Sequence, residues 1–528
     1  MKRALVYLIL VLLAASGAAA WYSQRFLWIF LALGPVLLLA AWDLTQARHT
    51  LLRNYPVFGH IRYLLEDFRH QIRQYFIEGD REEVPFSRVQ RSIVYRRAKD
   101  EDDSIPFGKL INVYEPGYEW LEHSIVPHEA ADVDPRVTVG NAQCAQTYSA
   151  SRFNISAMSF GSLSSHAIQA LNLGAKEGGF YHDTGEGGIS PHHTKYGGDL
   201  VWEIGTAYYG CRTPQGRFDP EVFAEKAKSP QVKMIELKLS QGAKPGGGGL
   251  LPAAKVTREI AEARGIPMGK DCHSPSAHPE FSTPVGMVEF LATLRELSGG
   301  KPIGFKLCVG RRHEFLAVCK AMLDTGIRAD FVTVDGSEGG TGAAPPELTQ
   351  SIGLGLRDGL IFTHNALVGA GLRDDLRIVC AGKIITGFDV AAKIALGADI
   401  CNSARGMMFA LGCIQARACN RNICPTGVTT HDPWRVHGLS VADKGPRVAR
   451  YHRGTIRHLQ MVLAACGLKD PGELRPEMLW RRITQLEVRN YRQLYRYLEP
   501  RELLEGSSAH DWQQWWRQAQ PQSFAAAR

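Results

Sequence analysis

At 528 residues, 45% of them hydrophobic and 22% charged, the chain can bury the core of a domain of roughly 250 to 300 residues with flanking segments, which excludes a disordered or fibrous protein. Its 53 glycines fall in short motifs between apolar runs, as phosphate-hugging loops require, and its net charge of +8 is scattered, without the basic stripe of a nucleic-acid partner. Eight of the 11 cysteines (Cys144, Cys211, Cys272, Cys308, Cys319, Cys380, Cys401 and Cys466) are isolated and read as buried free thiols in a reducing compartment.

The first expected elements lie within residues 1–48. Residues 4–20 and 26–42 are nearly uncharged runs at the short end of what spans a bilayer, joined by a loop containing Arg25. Lys2 and Arg3 before the first run, with Arg48 and Arg53 after the second, predict a membrane hairpin of two transmembrane helices, with Trp21, Tyr22 and Trp42 at the interfaces. The chain is thus expected at the inner, cytoplasmic membrane with its catalytic domain facing the cytoplasm. A cleaved signal peptide ending near Ala18 to Ala20 is the competing reading, and the immediately following second run weighs against it. Residues 49–149, with the acidic stretch Asp100 to Asp103, read as a linker or collar.

From 150 to 430 the pattern changes to short apolar runs, each ending in glycine-rich sequence and followed by a helical stretch. Candidate strands are Phe153 to Ala157, Val232 to Lys238, Ile303 to Val309, Phe331 to Asp335, Ile378 to Ala381 and Asp399 to Asn402. Repeated βα units of this number predict an α/β fold closed as a (β/α)8 barrel, with chemistry at the C-terminal strand ends. No GxGxxG with an acidic residue about 20 positions on supports a dinucleotide-binding alternative. Residues 431–528, rich in arginine and aromatic residues, predict a helical C-terminal extension.

The strongest local signal is Cys413, Cys419 and Cys424, spaced Cx5C and Cx4C and ending in Cys-Pro. Three thiolates from one loop suit an iron-sulfur cluster, or a zinc ion completed by a ligand from elsewhere. Directly after the first strand, Met158-Ser159-Phe160-Gly161-Ser162 lets the backbone approach a flat ring and offers hydroxyls to its polar edge. Thr184-Gly185-Glu186-Gly187-Gly188 presents a carboxylate in a glycine loop, although a plain surface turn would look the same. Lys238, Gln241 and Lys244 follow a strand, and two cations at a barrel mouth imply an anionic partner, which Arg264 could join. Lys306 is a charge amid apolar residues and needs a reason. Glu338-Gly339-Gly340-Thr341-Gly342-Ala343, Ala381-Gly382-Lys383 and Asn402-Ser403-Ala404-Arg405-Gly406 lie where barrels hold phosphate.

Together these motifs resemble the FMN-binding synthase domain of glutamate synthases over roughly residues 150–430, in that family's order. The resemblance implies an oxidoreductase acting on CH-NH2 donors, with FMN and a 3Fe-4S cluster, that converts 2-oxoglutarate and ammonia through 2-iminoglutarate to L-glutamate. Lys238, Lys244 and Arg264 would grip the substrate carboxylates and Glu186 would handle the imine or ammonia. Met158, Ser159, Phe160, Gly161, Ser162, Gln241, Lys306, Gly339, Gly340, Thr341, Gly342, Gly382, Asn402, Ser403, Ala404 and Arg405 would hold FMN, with Lys306 facing the N1 side of its ring. Cys413, Cys419 and Cys424 would bind the cluster. The expected partners are a separate electron donor, such as ferredoxin or a reductase subunit, and the membrane.

The departures from the family are specific. The hairpin stands where longer members carry a glutaminase domain, so ammonia would come free or from a partner. Leu250 replaces a glutamine near the substrate, Ala381 an aspartate, Lys383 a glycine, and Asn402 to Arg405 a GFGT-like stretch. Two alternatives therefore stay open: a flavin and iron-sulfur oxidoreductase acting on another 2-oxo or amino acid, and a non-catalytic relay or scaffold subunit at the membrane. His192, His193, His273 and His278 read as surface residues.

Overall fold

Eight short parallel strands close on one another at the centre of the chain: β1 (Phe153–Ile155), β2 (His182–Asp183), β3 (Leu200–Ile204), β4 (Val232–Lys238), β5 (Ile303–Leu307), β6 (Phe331–Asp335), β7 (Arg377–Ala381) and β8 (Ile400–Ser403). Neighbours in sequence are neighbours in the barrel, and β8 pairs β1 through Cys401↔Phe153 and Asn402↔Asn154 to complete the closure. Strands buried on both faces read as continuous apolar runs, which is why six of the eight are legible in the sequence. The two that are not legible are instructive. β2 is two residues long and polar, and β3 carries Glu203 inside the run Leu200 to Ile204.

An antiparallel hairpin, Arg136–Val139 with Tyr148–Ser151, stoppers the N-terminal end of the barrel. Its Val139, Tyr148 and Ala150 join Tyr181, Val201, Met234, Phe331, Val379 and Ile400 in one buried cluster. Apolar packing thus fills that end, and the polar interior opens only toward the C-terminal strand ends. On the outside, helix Val441–Ala465 packs against helix Ser165–Gly178. The crossing is close because a Cβ on Gly174 would lie 2.6 Å from Val448 Cβ, and one on Gly445 would lie 2.5 Å from Leu173 Cδ2.

The structure, a computed structural model, describes residues 2–23, 27–46, 48–130, 135–506 and 510–527. Two compact units divide the chain at 88/89. The expected helical C-terminal extension contains helices Val441–Ala465 and His510–Gln518, and a sheet interrupts it. Leu479–Arg482 and Val488–Asn490 are strands of an antiparallel sheet completed by Glu119–Leu121. Cross-strand stacking of Trp120 on Trp480, with ring centroids 6.3 Å apart, explains how some of the aromatic residues serve strand pairing rather than helix packing.

The first unit carries a second correction. Residues 2–22 and 27–45 form two helices packed on each other, yet no helix among the described residues is long and apolar enough to cross a membrane. At about 1.5 Å per residue, the second helix approaches the roughly 30 Å of a hydrocarbon core only by including Asp43. Asp43 is fully buried and accepts hydrogen bonds from the Val57 amide at 2.9 Å and from His60 Nε2 at 2.9 Å, so it belongs to a folded polar contact. The membrane hairpin, the membrane as a partner and the inner-membrane location are withdrawn on this finding. The expected loop at Arg25 lies outside the described residues.

Candidate active site

Loops from six strand ends meet at the barrel mouth. After β1, Met158, Ser159 and Phe160 are buried, and Gly161 turns the chain at φ +107° toward Ser162 and the helix beyond it. Ser159 Oγ donates to Ser162 Oγ at 3.0 Å. After β2, Glu186 accepts a 3.0 Å hydrogen bond from Lys238 Nζ at the end of β4, and Lys238 also reaches Gln241 Oε1 at 2.8 Å. Burial pushes the Glu186 carboxyl up, but Lys238, Arg264 and Lys244 outweigh it and hold the group down at about 2. Glu186 is therefore a carboxylate at neutral pH.

Arg264 is almost wholly buried and donates from Nη2 to Phe160 O at 3.2 Å and to Ser159 Oγ at 3.4 Å, tying the end of helix Arg258–Arg264 to the loop after β1. Lys244 is equally buried. Neither cation forms a salt bridge among the described residues, whereas Lys238 is paired with Glu186. The site thus carries two buried positive charges in want of an anion. His278 holds this corner in place: its Nε2 lies 2.9 Å from Lys238 O and its Nδ1 lies 3.0 Å from Tyr208 Oη. His278 and His193 are buried, which corrects their reading as surface residues.

The opposite wall is built from β4, β6, β7 and β8. Gly242 donates its amide to Asp335 Oδ2 at 2.9 Å, and a Cβ there would sit 1.7 Å from Gly336 O, so only glycine lets these two loops touch. Gln241 Nε2 reaches Thr341 Oγ1 at 3.4 Å. Arg405, half-buried at the start of helix Arg405–Ala410, donates to Glu338 O at 2.6 Å and so brings the end of β8 against the loop holding Gly339, Gly340, Thr341 and Gly342. Gly382 follows β7 on the same side. Asn402 and Ser403 are engaged deeper in the barrel, by Tyr181 Oη at 2.7 Å and by donation to Ile384 O at 2.7 Å, while Ala404 leads to Arg405 at the rim.

Below the mouth lies a feature that the sequence reading missed. Lys306 does not stand alone: its Nζ is 2.6 Å from Glu203 Oε2 and 3.9 Å from Glu236 Oε2, and Lys238 Nζ is 3.9 Å from Glu203 Oε1. Asp183, Glu203 and Glu236 bring carboxylate oxygens within 4.8 Å of one another, all buried. A charge inside an apolar run was the signal that singled out Lys306, and the same signal stands at Glu203 and Glu236.

Burial, and then the Glu203 charge, push the Asp183 carboxyl from 3.8 up to about 7 against the pull of Lys306. The folded protein therefore keeps a proton that the unfolded chain has already lost, and this group makes stability fall as pH rises from about 4 to about 7. Asp183→Asn, neutral at every pH, is expected to flatten that slope in urea-unfolding midpoints taken across the range; an unchanged slope would place the proton elsewhere.

The three cysteines follow helix Arg405–Ala410 in a loop folded back on itself, with Gln415, Arg417 and Asn422 at φ +56°, +55° and +60°. The Gln415 amide points at Cys413 Sγ at 3.4 Å, and Cys424 Sγ lies 3.5 Å from Thr426 Oγ1. Burial raises the Cys424 thiol, but hydrogen bonds from Thr426 and Thr429 bring it below its ordinary value, whereas burial takes Cys413 up to about 12. This loop is laced to the one after β1. Ser164 N donates to Val428 O at 2.9 Å, and His431 Nε2 lies 2.8 Å from Gly161 O.

Residues 124–469 match the conserved region in glutamate synthase. The chain belongs to the glutamate synthase family. The glutamate synthase large subunit-like protein YerD of Bacillus subtilis is 36% identical over 480 residues, covering 82% of this chain and 91% of that protein. The archaeal glutamate synthase (NADPH) of Archaeoglobus fulgidus is 31% identical over 321 residues, 61% of this chain and 60% of that protein. The counterpart in Methanocaldococcus jannaschii is 32% identical over 322 residues, with 61% and 60% covered. The chain thus spans about three-fifths of the length of these archaeal relatives. Solved structures of mandelate oxidase align over 76% of this chain and 98% of theirs at 13% identity, with a TM-score of 0.41. As a glutamate synthase family member the chain is an oxidoreductase of a parallel eight-stranded barrel. Leu250, where the family often has glutamine, is half exposed beside this site on a short strand paired with His273.

Proposed function

We propose that this glutamate synthase family member reductively aminates 2-oxoglutarate, or a closely similar 2-oxo diacid, to the amino acid, using FMN and electrons delivered by a separate donor protein through a three-iron cluster. The observation that carries this reading is the pair of buried, unpaired cations Lys244 and Arg264 flanking the Glu186–Lys238 ion pair. Two cations without counter-charge suit a dianion. The overall change takes up two electrons and two protons: 2-oxoglutarate and ammonium become glutamate and water.

The residues fit FMN. Glycine loops 339–342 and 382 converge with the Arg405 guanidinium as a phosphate cradle, and burial weighs against the Arg405 charge in a way that a phosphate would relieve. Ser159, across the mouth, and Gln241, beside Thr341, offer polar atoms to a ring edge. When bound, FMN supplies the hydride that reduces the imine carbon. The chain's own residues do the rest. Lys244 and Arg264 fix the carboxylates, so that the 2-oxo carbon is oriented before any bond forms. Glu186 lies beside them as a carboxylate able to hold the ammonium nitrogen by charge and hydrogen bonding, and Lys238 holds that carboxylate in place and can give a proton to the departing oxygen.

The residues also fit a cluster on Cys413, Cys419 and Cys424. Hydrogen bonds from Thr426 and Thr429 hold the Cys424 thiol below its ordinary value against burial, and the buried Lys255 ammonium bonds to Cys419 O, both of which suit a set of thiolate ligands.

Protein purified without oxygen is expected to show a flavin spectrum and an electron paramagnetic resonance signal of an oxidised three-iron cluster. Cys424→Ser should remove the iron and the signal while leaving the flavin bound. With reduced ferredoxin or dithionite, 2-oxoglutarate and ammonia, the fully loaded protein should form glutamate. Loaded protein that forms none sinks the reaction, and flavin reoxidation against a panel of 2-oxo acids would then name the substrate.

A further inference from the structure

Lys255 lies in the short turn Ala253–Lys255, between the loop that carries Lys244 and the helix that ends at Arg264. Its side chain is buried, and the residue is 3% exposed. The ammonium donates to two backbone carbonyls, Cys419 O at 3.0 Å and Ser162 O at 3.2 Å. One belongs to the cysteine loop and the other to the loop after β1, so a single charged group spans the two. Among the described residues Lys255 has no carboxylate within salt-bridge distance, and the sulfurs of Cys419 and Cys424 lie near enough for their charge to act on it. A buried ammonium satisfied only by neutral carbonyls is costly unless an anion stands close by. Thiolates holding an iron-sulfur cluster are such an anion, and each electron that enters the cluster adds one more negative charge.

We propose that Lys255 is a positioning residue that sets the electron affinity of the cluster on Cys413, Cys419 and Cys424 and, through Ser162 and Cys419, fixes the cluster loop against the flavin loop. This rests on the cluster reading above. A fixed positive charge beside the cluster stabilises its reduced form more than its oxidised form and raises its potential. Its carbonyl bonds also hold constant the gap an electron must cross.

The test is a redox titration of the anaerobically purified full chain, following the cluster by electron paramagnetic resonance and the flavin by absorbance. In Lys255→Met the cluster midpoint should move to a more negative potential, with the flavin midpoint moving less, and Lys255→Arg should keep the wild-type cluster midpoint. An unshifted midpoint in Lys255→Met at full iron content overturns the proposal. If Lys255→Met loses iron while Lys255→Arg keeps both iron and potential, the charge is confirmed as the requirement. Loss of iron from both variants makes the turn merely structural, and the proposal falls. A wild-type protein with bound flavin and no cluster signal refutes the cluster reading instead.

Discussion

Replacing Glu203 with alanine is expected to destabilise the folded protein by roughly 3 to 5 kcal/mol, the cost of removing one partner of a buried ion pair. Glu203 is 1% exposed and holds Lys306 at 2.6 Å; without it, Lys306 keeps only the 3.9 Å approach to Glu236, and Lys238 loses its second carboxylate. The damage comes from the stranded ammonium rather than from lost attraction. A double variant Glu203→Leu, Lys306→Met should therefore recover most of the lost stability, because an apolar pair of similar volume leaves no charge uncompensated. Urea unfolding of the single and double variants measures both effects. A single-variant loss below about 1 kcal/mol would mean that water reaches this layer and the barrel interior is not dry.

The second large effect runs the other way on stability and falls on binding. Lys244 is 7% exposed, burial holds its pKa below the usual lysine value, and no carboxylate pairs with it among the described residues. Lys244→Met is expected to leave the ligand-free protein as stable or more so, since a costly buried charge is gone. The same change should reduce kcat/KM for the 2-oxo diacid by roughly 30-fold to several-thousand-fold, equivalent to about 2 to 5 kcal/mol for losing one partner of a desolvated ion pair. Flavin content should not change, because the phosphate loops lie on other strand ends and the variant keeps Gln241 and Gly242, which join the Lys244 loop to them. Steady-state kinetics beside thermal unfolding separates this from a folding defect. A variant that is destabilised and binds substrate normally would return Lys244 to a structural role.

These two residues mark how far the sequence could be read. Lys244 is legible because its loop is local: glycines, a proline and two lysines at fixed spacing follow a strand, and the conformation of such a loop is set by its own residues. The same holds for the cysteine loop and for the glycine run near Thr341. Glu203 is not legible as the partner of Lys306, because the two are 103 residues apart and meet only when the barrel closes. β2 was equally hidden. Two residues have no periodicity, and His182–Asp183 becomes a strand only because β1 and β3 supply hydrogen-bonding edges on both sides.

By itself, then, the sequence determined the parallel βα repeat and the family, and it singled out loop residues that the fold brings to the barrel mouth, since each depends on local periodicity or on a short motif. Only the tertiary structure decided which charges neutralise one another. It leaves Lys244 and Arg264 without carboxylate partners while Lys306 is fully engaged, and it shows Lys255 joining two loops that are distant in sequence. It also replaced an expected membrane hairpin with a helix pair whose second helix contacts the chain after it through the buried Asp43, and it set two short strands within the expected helical tail. The physical reason is common to all of these. Charge compensation, burial and edge pairing are relations between segments far apart in the chain, and no single segment carries them.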